Sequence, residues 1–538
     1  MNGKHLDASS HLLASTPAWR LAACAVILLL PALDVIWSIV HLAPGVPDFV
    51  VASSQARSLL ESGLWPGSSY FPVGYPALLA LSGWLGNMLL GNLLLSWIGL
   101  SLALWSLYRL LRMWGAAPAM AVMALATVYL LPETRVVSTE AHVDNPFNGL
   151  VMWFFAAVIC VWGLAKREQM PRWALWGLLL PSIALPLLRN HALIVVVPIL
   201  LVLIIARGWT IRPVLVCLLL FSFSYLFNVA GYTRCYGTYP PSVWQTYIRV
   251  GLELDRKLAV PAAQQGQGPE AVYKAASESI GMQFPELARR ARENSLLADY
   301  RPAELFSHSL RQYWYFLRRP PLLLGLAACL TMLLLRRRLS PGRAPAALWV
   351  VLYSAGLSLT YYNLRKGYPQ VLIGAALAFT LAAQLSQQPR LRLALPAAVA
   401  ALLLAYTALH FPADFYARHV FLARASTVVE DITEQAGWEP AEVVVSGFTV
   451  IPLHDNPWCK PYARLDHRYQ TDPAIPIQLS PDCYYFGSEA MAQRRAPLPA
   501  ALVTEQHSSS VAVKRVLDPG GWQLVHDADG LRIYTPFH

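Results

Sequence analysis

The chain has 538 residues, 56% of them hydrophobic and only 14% charged, with a mean hydropathy of +0.42. Soluble domains carry about 25% charged residues, so this composition excludes an ordinary soluble enzyme and points to a membrane protein. The net charge of +11 does not require nucleic acid, because Lys and Arg fall mostly in short clusters between apolar runs, as the positive-inside rule predicts.

A spanning helix needs roughly 20 apolar residues at ~1.5 Å each to cross ~30 Å of hydrocarbon. In chain order the predicted spans are Leu21–Leu42, Leu93–Leu111, Ala117–Leu131, Phe147–Leu164, Ala174–Leu188, Ala192–Ile205, Val214–Val229, Leu322–Leu335, Ala346–Tyr361, Val371–Ala383 and Leu393–Leu409, about eleven in all. Pro76–Leu90 is apolar but interrupted by Gly, Ser and Asn, which predicts a helix at the interface. Arginines and lysines recur on every second loop: Lys4 and Arg20, Arg109 and Arg112, Lys166 to Arg172, Arg207 and Arg212, Arg336 to Arg343, and Arg390 and Arg392. Those loops are assigned to the cytoplasm. The long loops 43–76, 132–146 and 231–319 and the tail from residue 411 are then external. The expected fold is therefore an all-α polytopic membrane domain over residues 1–410, followed by a small external α/β domain over 411–538. In that tail "AEVVVSGF" reads as a strand, and "WQLVHDADGLRIYTPF" as two strands around an Asp-Gly turn.

Cys24, Cys160, Cys217 and Cys329 lie in spans and read as apolar fillers. Cys235, Cys459 and Cys483 are external. A Cys459–Cys483 disulfide is expected in an oxidising compartment, with Cys235 the competing partner. No GxGxxG, GxxxxGK, HExxH or CxxC pattern is present, and no histidine spacing fits a metal site. External chemistry would thus use a membrane-delivered substrate.

Four stretches carry candidate chemistry. In Phe49–Ser62, Phe49, Ala52, Ala56, Leu59 and Leu60 share a helical face, which predicts a helix in the membrane plane. Asp48 opens that helix, where it also fits a plain N-cap. Next, "STEAHVDNPFNGL" places Glu140 and Asp144 four apart, on one helical face, with His142 between them. Further on, "LLRNHALIVVVP" sets Arg189 and His191 at the external end of a span, where buried ionisable groups are costly and mark function. Last, "YYNLRKGYPQ" sets Arg365 and Lys366 at an external span end, against the positive-inside trend. Such a pair suits an anionic ligand. "GYTRCYG" adds Tyr232 and Arg234 at the start of the large loop.

The opening resembles the GT-C superfamily of membrane glycosyltransferases, such as protein O-mannosyltransferases and lipid A aminoarabinose transferases. The likeness rests on Asp48-Phe49, on Leu59-Leu60-Glu61-Ser62-Gly63, and on Tyr70-Phe71-Pro72-Val73-Gly74-Tyr75-Pro76-Ala77-Leu78-Leu79. It is good over roughly the first 200 residues and weakest in the tail. The resemblance implies transfer of one sugar from a polyprenyl-phosphate donor to an acceptor on the outer face of a bacterial cytoplasmic membrane. That acceptor is a protein, lipopolysaccharide or another envelope glycan, and no nucleic acid takes part. The first-loop carboxylate of the family is the catalytic base, which falls on Asp48. A second loop acid falls on Asp144, as Asp144-Asn145-Pro146, or on Glu140 in another variant. Arg365, Lys366 and Arg189 would hold the donor phosphate, with His142, His191, Tyr70, Tyr75, Tyr232, Arg234 and Tyr368 around the substrates. Val73 and Gly74 stand where some relatives carry a charged residue against phosphate or metal, so no cofactor is implied and a metal requirement stays open. A transporter or flippase, or a non-catalytic assembly protein, is the alternative class.

Overall fold

The computed structural model describes residues 17–40, 72–84, 88–139, 143–163, 170–189, 191–196, 211–236, 300–334, 342–358, 364–385, 391–411, 443–445, 501–505, 520–528 and 531–537, with scattered positions at 52–60, 420–438 and 517. Helices α1 (Pro17–Val40), α2 (Gly74–Trp84), α3 (Met88–Met113), α4 (Pro118–Leu130), α5 (Pro132–Thr139), α6 (Asp144–Gly163), α7 (Arg172–Leu188) and α8 (Ile211–Tyr236) form the first half. Helices α9 (Pro302–Leu317), α10 (Pro320–Leu334), α11 (Arg343–Ser358), α12 (Leu364–Leu385) and α13 (Leu391–Leu409) follow. Pro118, Pro132, Pro302 and Pro320 each open a helix, where the missing N–H costs nothing and φ is already set.

This is an all-α integral membrane architecture. Among the described residues four helices are long and apolar enough to cross a membrane, or five if the bent pair α4–α5 is one span. Shorter apolar helices fall in α7, α8, α10 and α13. Every span expected from the sequence falls on a described helix except Ala192–Ile205, which lies mostly outside the described residues.

Helix α6 is the centre of the first half, packed on α3 and α7. Helix α12 plays that part in the second half, against α10 and α13, and it also touches α3, α4, α5 and α6. Both central helices are largely enclosed, which is why their sequences carry small residues where backbones cross. A Cβ added at Gly99 would stand 2.4 Å from the Asn145 carbonyl oxygen, and one at Gly325 would stand 2.4 Å from that of Gly374. Close approach of this kind is what holds helices together in lipid, where no hydrophobic force distinguishes partner from solvent.

One end of the bundle is held by arginines on carbonyls and rings. The Arg112 Nη1 donates to the Ala116 carbonyl at 2.5 Å, and Arg343 donates to the Trp114 carbonyl. Both guanidiniums satisfy the orphan acceptors and negative dipole end that follow α3. Arg109 sits over the rings of Trp105 and Trp173, at 5.2 and 4.7 Å from their centroids.

Two expectations need correction. Residues 132–146 are not simply a loop, because Pro132–Thr139 forms α5, bent 70° from α4. Its residues Glu133, Thr134, Val137 and Ser138 are buried. Gly231 to Tyr236 continue α8 rather than opening the large loop. In the tail, β1 (Val443–Val445), β2 (Ala501–Glu505), β3 (Trp522–Ala528) and β4 (Leu531–Pro536) form one sheet in the order β1-β2-β4-β3. The hairpin β3–β4 flanks Asp529-Gly530 as its sequence predicts, with a register shift between Leu524 and His526.

Substituting Gly99→Ala or Gly325→Ala should therefore lower stability by about 1–3 kcal/mol through overpacking. Thermal unfolding in detergent should show lower melting points for both, whereas Gly115→Ala, with nothing within 4 Å but φ at +82°, should suffer only local backbone strain.

Candidate active site

Asp144 begins α6, and its side chain is only 2% exposed. A carboxylate in the first turn is favoured by the helix dipole. The Arg189 Nε donates to its Oδ1 at 2.7 Å. Arg189 reaches there because α7 stops at Leu188: its own backbone is extended, at φ −147° and ψ 137°, while its N–H still closes on the Leu185 carbonyl. Asn228 of α8 donates to the Pro186 carbonyl, satisfying another acceptor of that helix end.

His191 follows two residues on. Its ring lies 4.7 Å from that of Phe147 on α6, and its Nε2 is enclosed with no hydrogen-bond partner. Burial holds its imidazole well below the usual histidine range; Lys366 pushes the same way, Asp144 opposes, and Arg189 adds to the lowering. Thus Asp144, Arg189 and Lys366, from three separate stretches, all act electrostatically on His191. Lys366 stands in the first turn of α12, half-buried, and its carbonyl accepts the Tyr353 hydroxyl at 3.0 Å. Tyr368, two residues along, is fully buried, and its hydroxyl is enclosed beside Thr134 without an aligned hydrogen bond.

Other candidates are placed elsewhere. Tyr75 on α2 is fully buried and donates to the Asn92 side chain on α3. In the first external segment Ala52 and Ala56 are 0% exposed and Leu59 packs on the core, while Leu60 is 47% exposed. The predicted face therefore turns mostly onto the protein rather than onto the membrane plane. Asp48, Tyr70, Glu140, His142, Cys459 and Cys483 lie outside the described residues. The side chains of Arg365, Tyr232, Arg234 and Cys235 do too.

Two further carboxylates escaped the sequence reading. Asp34 sits inside α1, 3% exposed, with the Arg135 Nη1 donating to its Oδ1 at 2.6 Å and the Tyr129 hydroxyl donating to its Oδ2. Glu133 on α5 is 1% exposed and receives the Arg319 Nη1 at 3.2 Å and the Tyr406 hydroxyl at 2.8 Å. Asp34 was visible in principle, as a lone acid in an apolar span. Glu133 and Arg135 were hidden by reading their segment as a loop. Among the described residues no group of three or more His, Cys, Asp or Glu could hold a metal ion.

No family model matches the chain, and no curated protein matches it. Solved structures do, among them ArnT from Cupriavidus metallidurans bound to undecaprenyl phosphate and the same protein in the apo state. The first is 13% identical with a TM-score of 0.39, covering 97% of this chain and 98% of that one. The second is 12% identical with a TM-score of 0.33, covering 93% and 97%.

Removing one partner of a buried ion pair leaves an uncompensated charge, at about 3–5 kcal/mol. Arg189→Leu should accordingly lower the melting point sharply, and adding Asp144→Leu should recover most of the loss. His191 adds a pH signature. Its folded pKa lies below the unfolded value of about 6.5, so as pH falls the unfolded chain takes up the proton first. The imidazole thus costs nothing above about pH 6.5 and a growing penalty below it. His191→Gln should flatten the fall in melting temperature between about pH 6.5 and 5.

Proposed function

We propose that this chain is a GT-C-type glycosyltransferase. It moves one sugar from a polyprenyl-phosphate donor to an acceptor at the outer face of the cytoplasmic membrane, with inversion at the anomeric carbon. The observation that carries the reading is the meeting of Asp144, Arg189, His191 and Lys366 at one end of an apolar bundle. Cations at the membrane face suit a lipid phosphate, which is at once anchor and leaving group. A guanidinium gives directed hydrogen bonds there, and an ammonium a compact charge.

In this reading Asp48 removes the acceptor hydroxyl proton as the hydroxyl attacks the anomeric carbon, and Lys366 with Arg365 neutralises the departing phosphate. Asp144 orients the acceptor: its Oδ1 is already taken by Arg189, which suits a fixed hydrogen-bond acceptor better than a proton carrier. A neutral His191 can hydrogen-bond a substrate without adding charge. The bent pair α4–α5 is a feature that a transporter would share. Transporters with broken helices carry them in symmetry-related pairs, whereas one such bend is present among the described residues.

Radiolabelled sugar transfer from a synthetic polyprenyl-phosphate donor tests the reading, with the protein in nanodiscs. Asp48→Asn should keep the wild-type melting point, because Asn caps a helix as well as Asp does. It should lose about 10²–10⁴ in single-turnover rate, because an amide cannot take the proton. Asp144→Asn, assayed below its own melting point, should act mainly by raising the acceptor KM. Retention of more than about a tenth of the wild-type rate by Asp48→Asn would remove it as the base, and absence of transfer from every donor tried would sink the enzyme reading.

A further inference from the structure

Glu133 takes both of its donors on one oxygen. The Arg319 Nη1 and the Tyr406 hydroxyl share Oε1, while Oε2 is enclosed and receives no hydrogen bond. A buried carboxylate oxygen left without a donor is a costly arrangement. It persists here because three elements fix it: α5 carries the acid, the α9–α10 junction the guanidinium, and α13 the phenol. The missing partner must be a hydrogen-bond donor, and the charges say which kind. Arg319 already neutralises Glu133, so an ammonium would leave the group net positive, whereas a hydroxyl would complete it without adding charge. Beside the carboxylate, the Tyr406 ring lies 4.7 Å from that of the exposed His410, and Phe411 is 52% exposed. A charged pair whose half-buried phenol leads out to the exposed His410 ring matches the two characters of a pyranose, with hydroxyls on its edge and apolar C–H groups on its faces.

We propose that Glu133, Arg319 and Tyr406 form a hydroxyl-recognising subsite for a pyranoside ring, separate from the cluster around Asp144. The carboxylate accepts the sugar hydroxyl at Oε2, and the Tyr406–His410 rings take the C–H face. The assignment rests on the glycosyl-transfer reading only in naming a sugar as the ligand, and its test needs no turnover.

Saturation-transfer NMR on the full chain in nanodiscs, with methyl α-D-mannopyranoside and methyl β-D-glucopyranoside as probes, reads the subsite directly. Wild type should transfer saturation to at least one glycoside and not to its permethylated form, which keeps the ring but has no hydroxyl donor. Glu133→Gln and Glu133→Asp, each shown folded by its melting curve, should weaken binding roughly ten-fold or more, because a charge-assisted hydrogen bond is lost or retracted. No signal in wild type, or equal signals in wild type and either folded Glu133 variant, means that water alone fills the place and overturns the subsite. Glycoside binding that needs Glu133 in a protein that transfers no sugar would keep the subsite and refute the catalytic reading instead.

Discussion

Three buried carboxylates, on α1, α5 and α6, are each closed by a guanidinium from another segment, and the architecture at that end of the bundle depends on this closure. In an apolar setting a lone carboxylate has no water to solvate it, so it either finds a cation or forces the chain elsewhere. The pairs are distant in sequence: Asp34 with Arg135, Asp144 with Arg189, Glu133 with Arg319. Two of the three run through α5, which cannot pack by its apolar surface alone. Its consecutive residues Glu133, Thr134 and Arg135 face three ways: towards α13 and Arg319, towards Tyr368 on α12, and towards Asp34 on α1. The bend at Leu131 is what lets a short helix lie across the bundle and make these contacts.

The opposite end is held differently, and the contrast has a physical cause. There the cations Arg112 and Arg343 meet backbone carbonyls, and Arg109 meets indole faces. Carbonyls and rings offer partial negative charge without a proton to exchange, so such contacts fasten helix ends and leave no reactive group. Carboxylates paired with guanidiniums bring hydrogen-bond acceptors and donors into a dry setting, where each is electrostatically stronger than in water. Buried ion pairs are weak contributors to stability compared with apolar packing of the same volume. Three of them gathered at one end fix the placement of α1, α5 and α6 by directed contacts rather than by buried area.

The legible part of the sequence was the part written in a single period or a single charge pattern. Apolar length found the helices. Arg189, His191 and Lys366 stand out because each breaks an apolar or positive-inside pattern, Asp144 because of its spacing from Glu140, and Arg189, Lys366 and Asp144 all act on His191. What stayed hidden was pairing across distance. Nothing in "PALDV" says that Asp34 meets Arg135, because the partner is fixed by the bend after Leu130 and not by any local spacing. Tyr75 shows the converse. Its aromatic-Pro context looked like a ligand surface, yet its hydroxyl is spent on Asn92 inside the α2–α3 contact, which is the ordinary fate of a buried tyrosine.

The arrangement around His191 also constrains how an anion could be received. Burial, Lys366 and Arg189 all act against a proton on its ring, and only Asp144 acts for it. An incoming phosphate would add negative charge beside the same imidazole and shift that balance towards protonation, since opposite charge favours the charged form. Nε2, enclosed and without a hydrogen-bond partner, is where such a proton or hydrogen bond would be registered. The Asp144–Arg189 pair meanwhile fixes the guanidinium in place. Replacing His191 by a permanently charged lysine would remove that responsiveness, because a second ammonium beside Lys366 repels its neighbour whether or not the anion is present.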